Sequence, residues 1–579
     1  MGRRLQAPLL ALIAYVAGAL LLTAAVWGSP TTQWAGRCCD PEQSMWFLGW
    51  TPYALSHGLD PFFTTQIGAP AGVNLMWNTL TPLLGLMAWL PTAVGGPIFA
   101  YNVILVVGIA LSGWTAFLAF RRYADHDAGA FIGGAVYAFS PYISSHAELH
   151  LNLATAWVPP LFLLVLDELL VRRRRSALLL GIALGLLSVI QLLIAEEILA
   201  TSVIAAGVLV LVMAAFGRAE IRDAIRRLST ALATAAVTFL VAGAWPLATQ
   251  FLGPRRLVGA VQNTILFSTD LLNVVLPTPY QLIAPSAATA ISSNFSGLYH
   301  EATGYLGLPL LILLVVVALE RWGDRRVRVA LLVGLILLVF SLGAHLHIGA
   351  ADTGLPMPWL ALSSLPLLEH AVPDRVTVFV WLAVGGIVAI VSGDALRRGR
   401  AGAGRLLAVA AALAFILPVP LAHSSVAIPA FFRTWSEQGI AQSDTVLIAP
   451  LPGNGSETAP MLWAAVAGHG VRMAEAFALI PLPDGRTSAV GPATALTDAM
   501  HHVQDRHGGL VARGTVRAEI AADLRAANIR HVIVGPMAAQ AEMVAFFRDL
   551  FGRAPEMTGG VEIFRDVDVA GVTPGGGLP

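Results

Sequence analysis

Long apolar stretches separated by short arginine-bearing segments dominate the chain. They recur at roughly 98–120, 129–144, 150–171, 176–195, 197–216, 229–251, 303–320, 329–347, 374–394 and 406–424, and most approach the ~20 residues that a helix needs to cross a bilayer. The opening segment adds one more. Its charged head, Arg3 and Arg4, precedes an apolar run from Pro8 to Trp27 that is long enough to span, and no small-residue cleavage site ends it. We read it as an uncleaved first helix, which brings the expectation to about eleven spans.

The arginines give this count a direction. Arg3–Arg4, Arg121–Arg122, Arg172 to Arg175, and those within 218–227, 321–328 and 397–405 all fall on one side if the spans alternate. The opposite loops before residue 425 hold only Arg37, Arg255, Arg256 and Arg375. By the positive-inside rule the N-terminus is then cytoplasmic and the chain after residue 425 lies outside. Leu80 to Gly95 is apolar enough to resemble a span but contains Pro82 and Pro91. Counting it would put Arg172 to Arg175 outside, so it is expected to be re-entrant or interfacial, within a first outer loop of residues 29–97. The run 129–144, with Gly133, Gly134 and Pro141, is the shortest of the expected spans.

Beyond residue 425 the pattern changes. TVLIAP (445–450) and HVIVG (531–535) read as buried strands, and Thr515 to Ala527 and Ala538 to Phe551 as amphipathic helices. The fold expected is therefore an all-α polytopic membrane bundle over residues 1–424, followed by a small extracytoplasmic α/β domain over 425–569. The Gly/Pro-rich tail, 570–579, is expected to be disordered.

Composition supports this. The 579 residues are 56% hydrophobic and 12% charged, with mean hydropathy +0.72, against about 25% charged in an ordinary soluble protein. A formal net charge of zero, with no basic face, argues against a nucleic-acid partner. Every basic residue apart from histidine is an arginine. The two cysteines, Cys38 and Cys39, are neighbours, too close for an unstrained bridge, and are read as free thiols. No P-loop, GxSxG, zinc-spaced cysteine set or GxGxxG is present. NFS (294–296) and NGS (454–456) fit the N-glycosylation tripeptide, a pattern common by chance.

Ionisable residues at membrane depth are costly and mark a functional cavity by default. With the topology above, Asp40, Glu42, His146, Glu148, His150, Glu196, Glu197, Asp270, His300, Glu301, Asp374 and Arg375 all fall at the outer face. Simpler roles exist for each: a solvated loop acid for Asp40, a pinned turn for Glu196–Glu197, a structural ion pair for Asp374–Arg375. His146, Glu148 and His150 are spaced i, i+2, i+4, which puts both histidines on one helical face as a metal pair requires, though no third ligand is specified. Trp46, Trp50 and Tyr53 read as interface-belt aromatics around an amphipathic helix.

An uncleaved first helix, the acidic motif DPEQSMW at Asp40, an amphipathic segment from Phe47 to His57 and the stretch DPFFTTQIGAPAGVNLMWNTLTP resemble the polytopic GT-C glycosyltransferases that use polyprenyl-phosphate sugars, in particular an actinobacterial group. YAFSPY (137–142), TDLLNVVLPTP, EATGYLG (301–307) and the C-terminal region extend the resemblance over most of the chain. It implies a bacterial plasma-membrane enzyme. A sugar would pass from a polyprenyl-phosphate donor to an extracytoplasmic glycan, lipid or protein, with inversion. Asp40 would be the general base, and Arg375 would hold the leaving phosphate, with Arg255 or Arg256 as substitutes. Some members use a divalent cation. The family's acid pair is often adjacent, whereas Pro41 separates Asp40 from Glu42 here, leaving open which is the base. A transporter or lipid flippase is the competing reading, but such proteins show internal repeats and mid-span charges, and neither is evident.

Overall fold

The computed structural model describes residues 2–37, 39–258, 261, 263–297, 299–365, 367–452, 458–506 and 510–567, with the backbone alone at 2–5, 218–224, 299 and 506. Cys38, the NGS tripeptide and the tail 570–579 lie outside the described residues. The chain forms two compact units.

The first unit comprises residues 1–28, 102–244 and 260–422 and is helical. Among the described residues of the chain, five helices are long and apolar enough to cross a membrane: Pro82–Phe120, Leu151–Arg172, Glu196–Phe216, Ile225–Ala242 and Pro373–Arg397. The other expected spans are occupied by shorter helices, among them Asp127–Ala138, Ala177–Leu192, Leu308–Arg321, Arg325–Ser341 and Ala403–Ala414. The 39-residue segment Pro82–Phe120 is two helices joined at Gly96, whose φ of +80° only glycine adopts without strain. The segment expected to be re-entrant is thus the helix before that break.

Small residues let the helices approach. Gly129 and Gly133 of Asp127–Ala138 face Gly385, Ala389 and Gly393 of Thr377–Arg397. A Cβ at Gly129 would lie 2.5 Å from the Gly393 Cα, and one at Gly133 would run into the Gly385 carbonyl oxygen. This is the small-xxx-small packing of membrane helices, and it makes the short 127–138 helix a core element. Gly181 and Gly185 play the same part against the Ala231 and Ala235 carbonyls.

The unit has two chemically distinct ends. At one, arginines meet acids: Arg122 and Arg172 reach Asp167 at 2.8 and 2.7 Å, Arg397 reaches Asp125 at 3.1 Å, and Arg321 pairs with Asp394. At the other end lie His146, Glu197, Glu301 and Arg375. The helix Thr377–Arg397 connects the two, beginning two residues after Arg375 and ending at Arg397.

The second unit comprises residues 29–101, 245–259 and 423–579. Its centre is a five-stranded sheet of β1 (Thr445–Ala449), β2 (Arg472–Met473), β3 (Ile529–Val534), β4 (Glu556–Thr558) and β5 (Val561–Phe564), in the order β4-β5-β3-β1-β2. β3 and β2 pair with β1 in parallel; β5 pairs with β3 and β4 antiparallel. Every residue of β1 is buried, as expected of a parallel strand covered on both faces. Helices Ala495–Arg506, Gly514–Ala526 and Gln540–Phe551 bury Met500, Ile520 and Phe547 in the same core. The β4–β5 hairpin was not anticipated from the sequence; Gly559 and Gly560, both at positive φ, make its turn.

This α/β layer is built together with residues 29–101. Trp34–Ala35 pairs with His423–Ser424, Gln43 Nε2 donates to the Phe477 carbonyl at 2.5 Å, and Asn78 exchanges two hydrogen bonds with the Leu479 backbone. Trp46 and Trp50, expected at a membrane interface, are fully buried and stack at 5.3 Å; the His469 Nε2 lies 2.8 Å from the Trp46 carbonyl. The helix Asp40–Ser56 is a core helix of this unit.

Candidate functional site

The polar residues of the first unit converge from four separated stretches of chain. Ser140 caps the helix Pro141–His146 by accepting from the Ile143 amide at 3.3 Å, with Pro141 at the first helical position. His146 and His150 follow one turn apart, their Nδ1 atoms 3.2 Å from each other. Glu197 lies in the first turn of Glu196–Phe216, Glu301 ends the 3-10 turn Tyr299–Glu301, and Arg375 lies in the turn Pro373–Val376.

Arg375 is the centre of the cluster. Its Nη2 and Nε reach Glu301 Oε1 and Oε2 at 2.5 and 3.2 Å, and its Nη1 reaches Glu197 Oε2 at 2.5 Å. Glu197 is held in turn by the Val372 amide at 2.5 Å. Three of the five N–H bonds of the guanidinium thus go to carboxylates, while its side chain is 14% exposed. His150 Nδ1 and His146 Nε2 approach Glu301 at 3.6 and 3.8 Å. Burial drives the His146 imidazole well below its usual pKa and keeps it neutral. Burial opposes ionisation of Glu301 too, but the Arg375 guanidinium, through its charge and its hydrogen bonds, outweighs it and holds the carboxyl well below the usual range.

The surrounding frame is polar and specific. Thr303 and Thr377 hydroxyls meet at 2.6 Å, the Trp381 indole donates to the Thr303 carbonyl at 3.3 Å, and Asn273 Oδ1 accepts from the Gly304 amide at 2.9 Å. These bonds tie the EATGYLG segment to the start of Thr377–Arg397 and so fix Glu301 against Arg375. Nothing in the sequence pattern singles out Asn273, Thr303 or Thr377 for this role.

The remaining expected site residues are placed as follows. Asp270 caps the turn Leu271–Val274 and accepts from the Leu272, Gly349 and Ala350 amides at 2.9, 3.0 and 2.8 Å. Glu148 accepts from the Ala422 amide at 3.0 Å. Glu196 is half-buried at its helix start, and His300 Nδ1 meets the Tyr280 hydroxyl at 2.8 Å. Asp40 and Glu42 belong to the second unit, as do Arg255 and Arg256. Asp40 opens the helix Asp40–Ser56 and is half-exposed, whereas Glu42 folds back onto the Cys39 amide at 2.7 Å in a capping box. Burial raises the Glu42 carboxyl to about 7. Glu475, an acid that the sequence left unremarked within an apolar run, is likewise pushed up to about 7 by burial; it borders a small cavity with Thr458 and Met473.

His146, His150 and Glu301 each offer a ligand atom within 4.8 Å of the others, a spacing compatible with one shared cation and a two-histidine, one-carboxylate donor set. Glu301 is engaged through both oxygens by Arg375, so a cation there would compete with the guanidinium.

The fold is similar to that of the arabinofuranosyltransferase AftD from Mycobacteria, with a TM-score of 0.54 at 13% identity over 96% of this chain and 40% of that one. The present chain thus spans less than half of AftD. The Archaeoglobus fulgidus oligosaccharyltransferase in its apo form gives a TM-score of 0.49 at 13% identity, over 91% of this chain and 69% of that one. No curated protein sequence matches this chain. The profile of one family, a domain of unknown function (DUF6311), matches residues 11–416, most of the chain, which therefore belongs to the DUF6311 family.

Proposed function

We propose that the protein is a membrane glycosyltransferase of the plasma membrane, moving a sugar from a polyprenyl-phosphate donor to an extracytoplasmic glycan, lipid or protein. The observation that carries this reading is Arg375: a guanidinium held by two carboxylates at the end of an apolar bundle, on the opposite end from the arginine-rich loops, with two N–H bonds outside its carboxylate contacts. A lipid-linked sugar cannot leave the bilayer, so its phosphate stays at headgroup level, where such a fork matches phosphate oxygens. Similarity to the AftD fold supports the same class.

In the reaction the acceptor hydroxyl oxygen forms a bond to the anomeric carbon as the bond from that carbon to the phosphate oxygen breaks. The electron pair leaves with the polyprenyl phosphate, and the hydroxyl proton goes to a carboxylate. General-base help of this kind is worth about 10²- to 10⁴-fold. Asp40 is the carboxylate we assign, because it is half-exposed whereas Glu42 is committed to the Cys39 amide. Arg375 stabilises the charge gathering on the phosphate, and a single displacement inverts the anomeric centre.

The test is incubation of the purified protein with a panel of polyprenyl-phosphate sugars and detection of released polyprenyl phosphate. Release is expected with at least one donor, and Asp40→Asn should abolish it at normal membrane yield. Retained release would remove Asp40 from the reaction, and no release with any donor or acceptor would remove the assignment itself.

A further inference from the structure

His146 and Glu301 are buried, and the side chain of His150 is 14% exposed. Among the described residues, the His146 Nε2 is buried with no hydrogen-bond partner. It lies 3.8 Å from Glu301 Oε2, and the His150 Nδ1 lies 3.6 Å from Glu301 Oε1. At metal–nitrogen and metal–oxygen lengths of about 2.0–2.2 Å, two donors on one tetrahedral ion stand about 3.4 Å apart. The three side chains would have to close by only about 0.2–0.4 Å to share an ion. Two imidazoles and a carboxylate suit zinc and related transition metals, whereas magnesium and calcium call for oxygen ligands.

The carboxylate of this set is the one that Arg375 holds. Its Nη2 and Nε reach Glu301 Oε1 and Oε2 at 2.5 and 3.2 Å, so both oxygens are in use. A metal bonded to either oxygen would stand within about 5 Å of a guanidinium nitrogen. Glu301 is 4% exposed, and water does little to screen two positive charges at such a depth. Arg375 has a second anchor, however: its Nη1 reaches Glu197 Oε2 at 2.5 Å, and the Val372 amide fixes Glu197 from the other side at 2.5 Å. The guanidinium can therefore give up Glu301 and still be paired.

We propose that His146, His150 and Glu301 form a site for zinc or a transition metal of similar ligand preference, with Arg375 as its competitor within the same chain. Metal and guanidinium hold Glu301 in turn, never together. Some of the glycosyltransferases that this chain resembles use a divalent cation, but here the carboxylate contacts set the metal against Arg375. On the reading that Arg375 holds the donor phosphate, a metal at Glu301 frees the guanidinium from the carboxylate that aims it and so opposes transfer.

The test counts metal and measures no sugar transfer. The purified protein in detergent is stripped with a chelator, dialysed against zinc or magnesium chloride, and its bound metal determined by elemental analysis. The chain has 14 histidines, so the site is defined as the part of the zinc uptake that His150→Ala removes. Arg375→Met should tighten that site on the order of 10²-fold, to one zinc per chain, with no comparable uptake of magnesium. Zinc should also raise the unfolding midpoint of Arg375→Met, and His146→Ala in that background should cancel both the binding and the rise. Arg375→Gln, which keeps a hydrogen-bonding side chain beside Glu301, gives the same comparison if the methionine variant does not fold. Equal zinc affinity with and without the guanidinium overturns the proposal. So does uptake by the arginine variants that survives both His146→Ala and His150→Ala, or magnesium bound as tightly as zinc. Any of these results leaves the glycosyltransferase reading standing, and a protein that cleaves no donor leaves the metal site standing.

Discussion

Replacing Arg375 with methionine keeps the length of the side chain and removes the charge that compensates Glu301 and Glu197. Glu301 is 4% exposed, and a buried carboxylate without its partner either stays ionised at high cost or takes up a proton. Protonating a carboxyl of ordinary pKa about 4.3 costs about 3.7 kcal/mol at pH 7 and about 1 kcal/mol at pH 5, so the variant should lose up to about 3.7 kcal/mol at neutral pH. The sign follows from linkage. In the unaltered protein Glu301 is held below its unfolded pKa, so its contribution is present above about pH 4.3 and is lost as the pH falls through the folded value. In the variant its pKa is raised, its ionisation opposes folding, and that penalty fades as the pH falls. The stability gap should therefore shrink from pH 7 to pH 5, read as the difference in unfolding midpoint by tryptophan fluorescence in detergent. Adding Glu301→Gln to the variant should recover part of the loss at pH 7. A gap that is absent at pH 7, or unchanged at pH 5, would refute the claim that this ion cluster is held together by charge compensation.

Gly133→Leu should displace the helix Asp127–Ala138 from Thr377–Arg397, because the nearest atom is a backbone carbonyl that cannot move aside. A loss of at least 1–3 kcal/mol is expected by overpacking, and an unchanged thermal midpoint would show that the helices separate freely. Glu42 is raised to about 7 by burial, so its neutral form favours the fold: its contribution is full below about pH 4.5 and is lost as the pH rises to about 7. Glu42→Gln should abolish a decline of about 3 kcal/mol across that window, seen as a flatter plot of denaturation midpoint against pH; an unaltered slope would contradict it. Arg375→Gln should slow release from a lipid-phosphate donor by on the order of 10²-fold, and a rate equal to that of the unaltered protein would place the phosphate elsewhere.

Apolar runs marked where most of the helices lie, though only five of the described helices are long and apolar enough to cross a membrane. They did not reveal the break at Gly96, because a single glycine inside an apolar run looks the same whether it bends the helix or packs it. The glycines at 129 and 133 show the converse: they shorten the apparent span in the sequence, yet in the fold they bring two backbones into contact. In the C-terminal region the strands at 445–449 and 529–534 were legible from their continuous apolar runs. The sharing of a core with residues 29–101 was not, because the pairing of Asn78 with Leu479 joins positions 401 residues apart.

The polar residues divide along a line that the sequence cannot draw. An acid near an apolar run advertises that its charge must be compensated, and Asp270 and Glu301 advertise it equally. In the structure Asp270 is compensated by three backbone amides, which position a turn and leave a fixed structural anion. Glu301 is compensated by a guanidinium and approached by two imidazoles, partners that can exchange protons, anions or cations. Those partners come from positions 74 residues or more away in the chain, so spacing carries no trace of them. The type of partner, rather than the presence of the charge, separates a residue that holds the fold from one that can take part in chemistry, and it is the ground on which we propose the Arg375 end of the bundle as the reactive one.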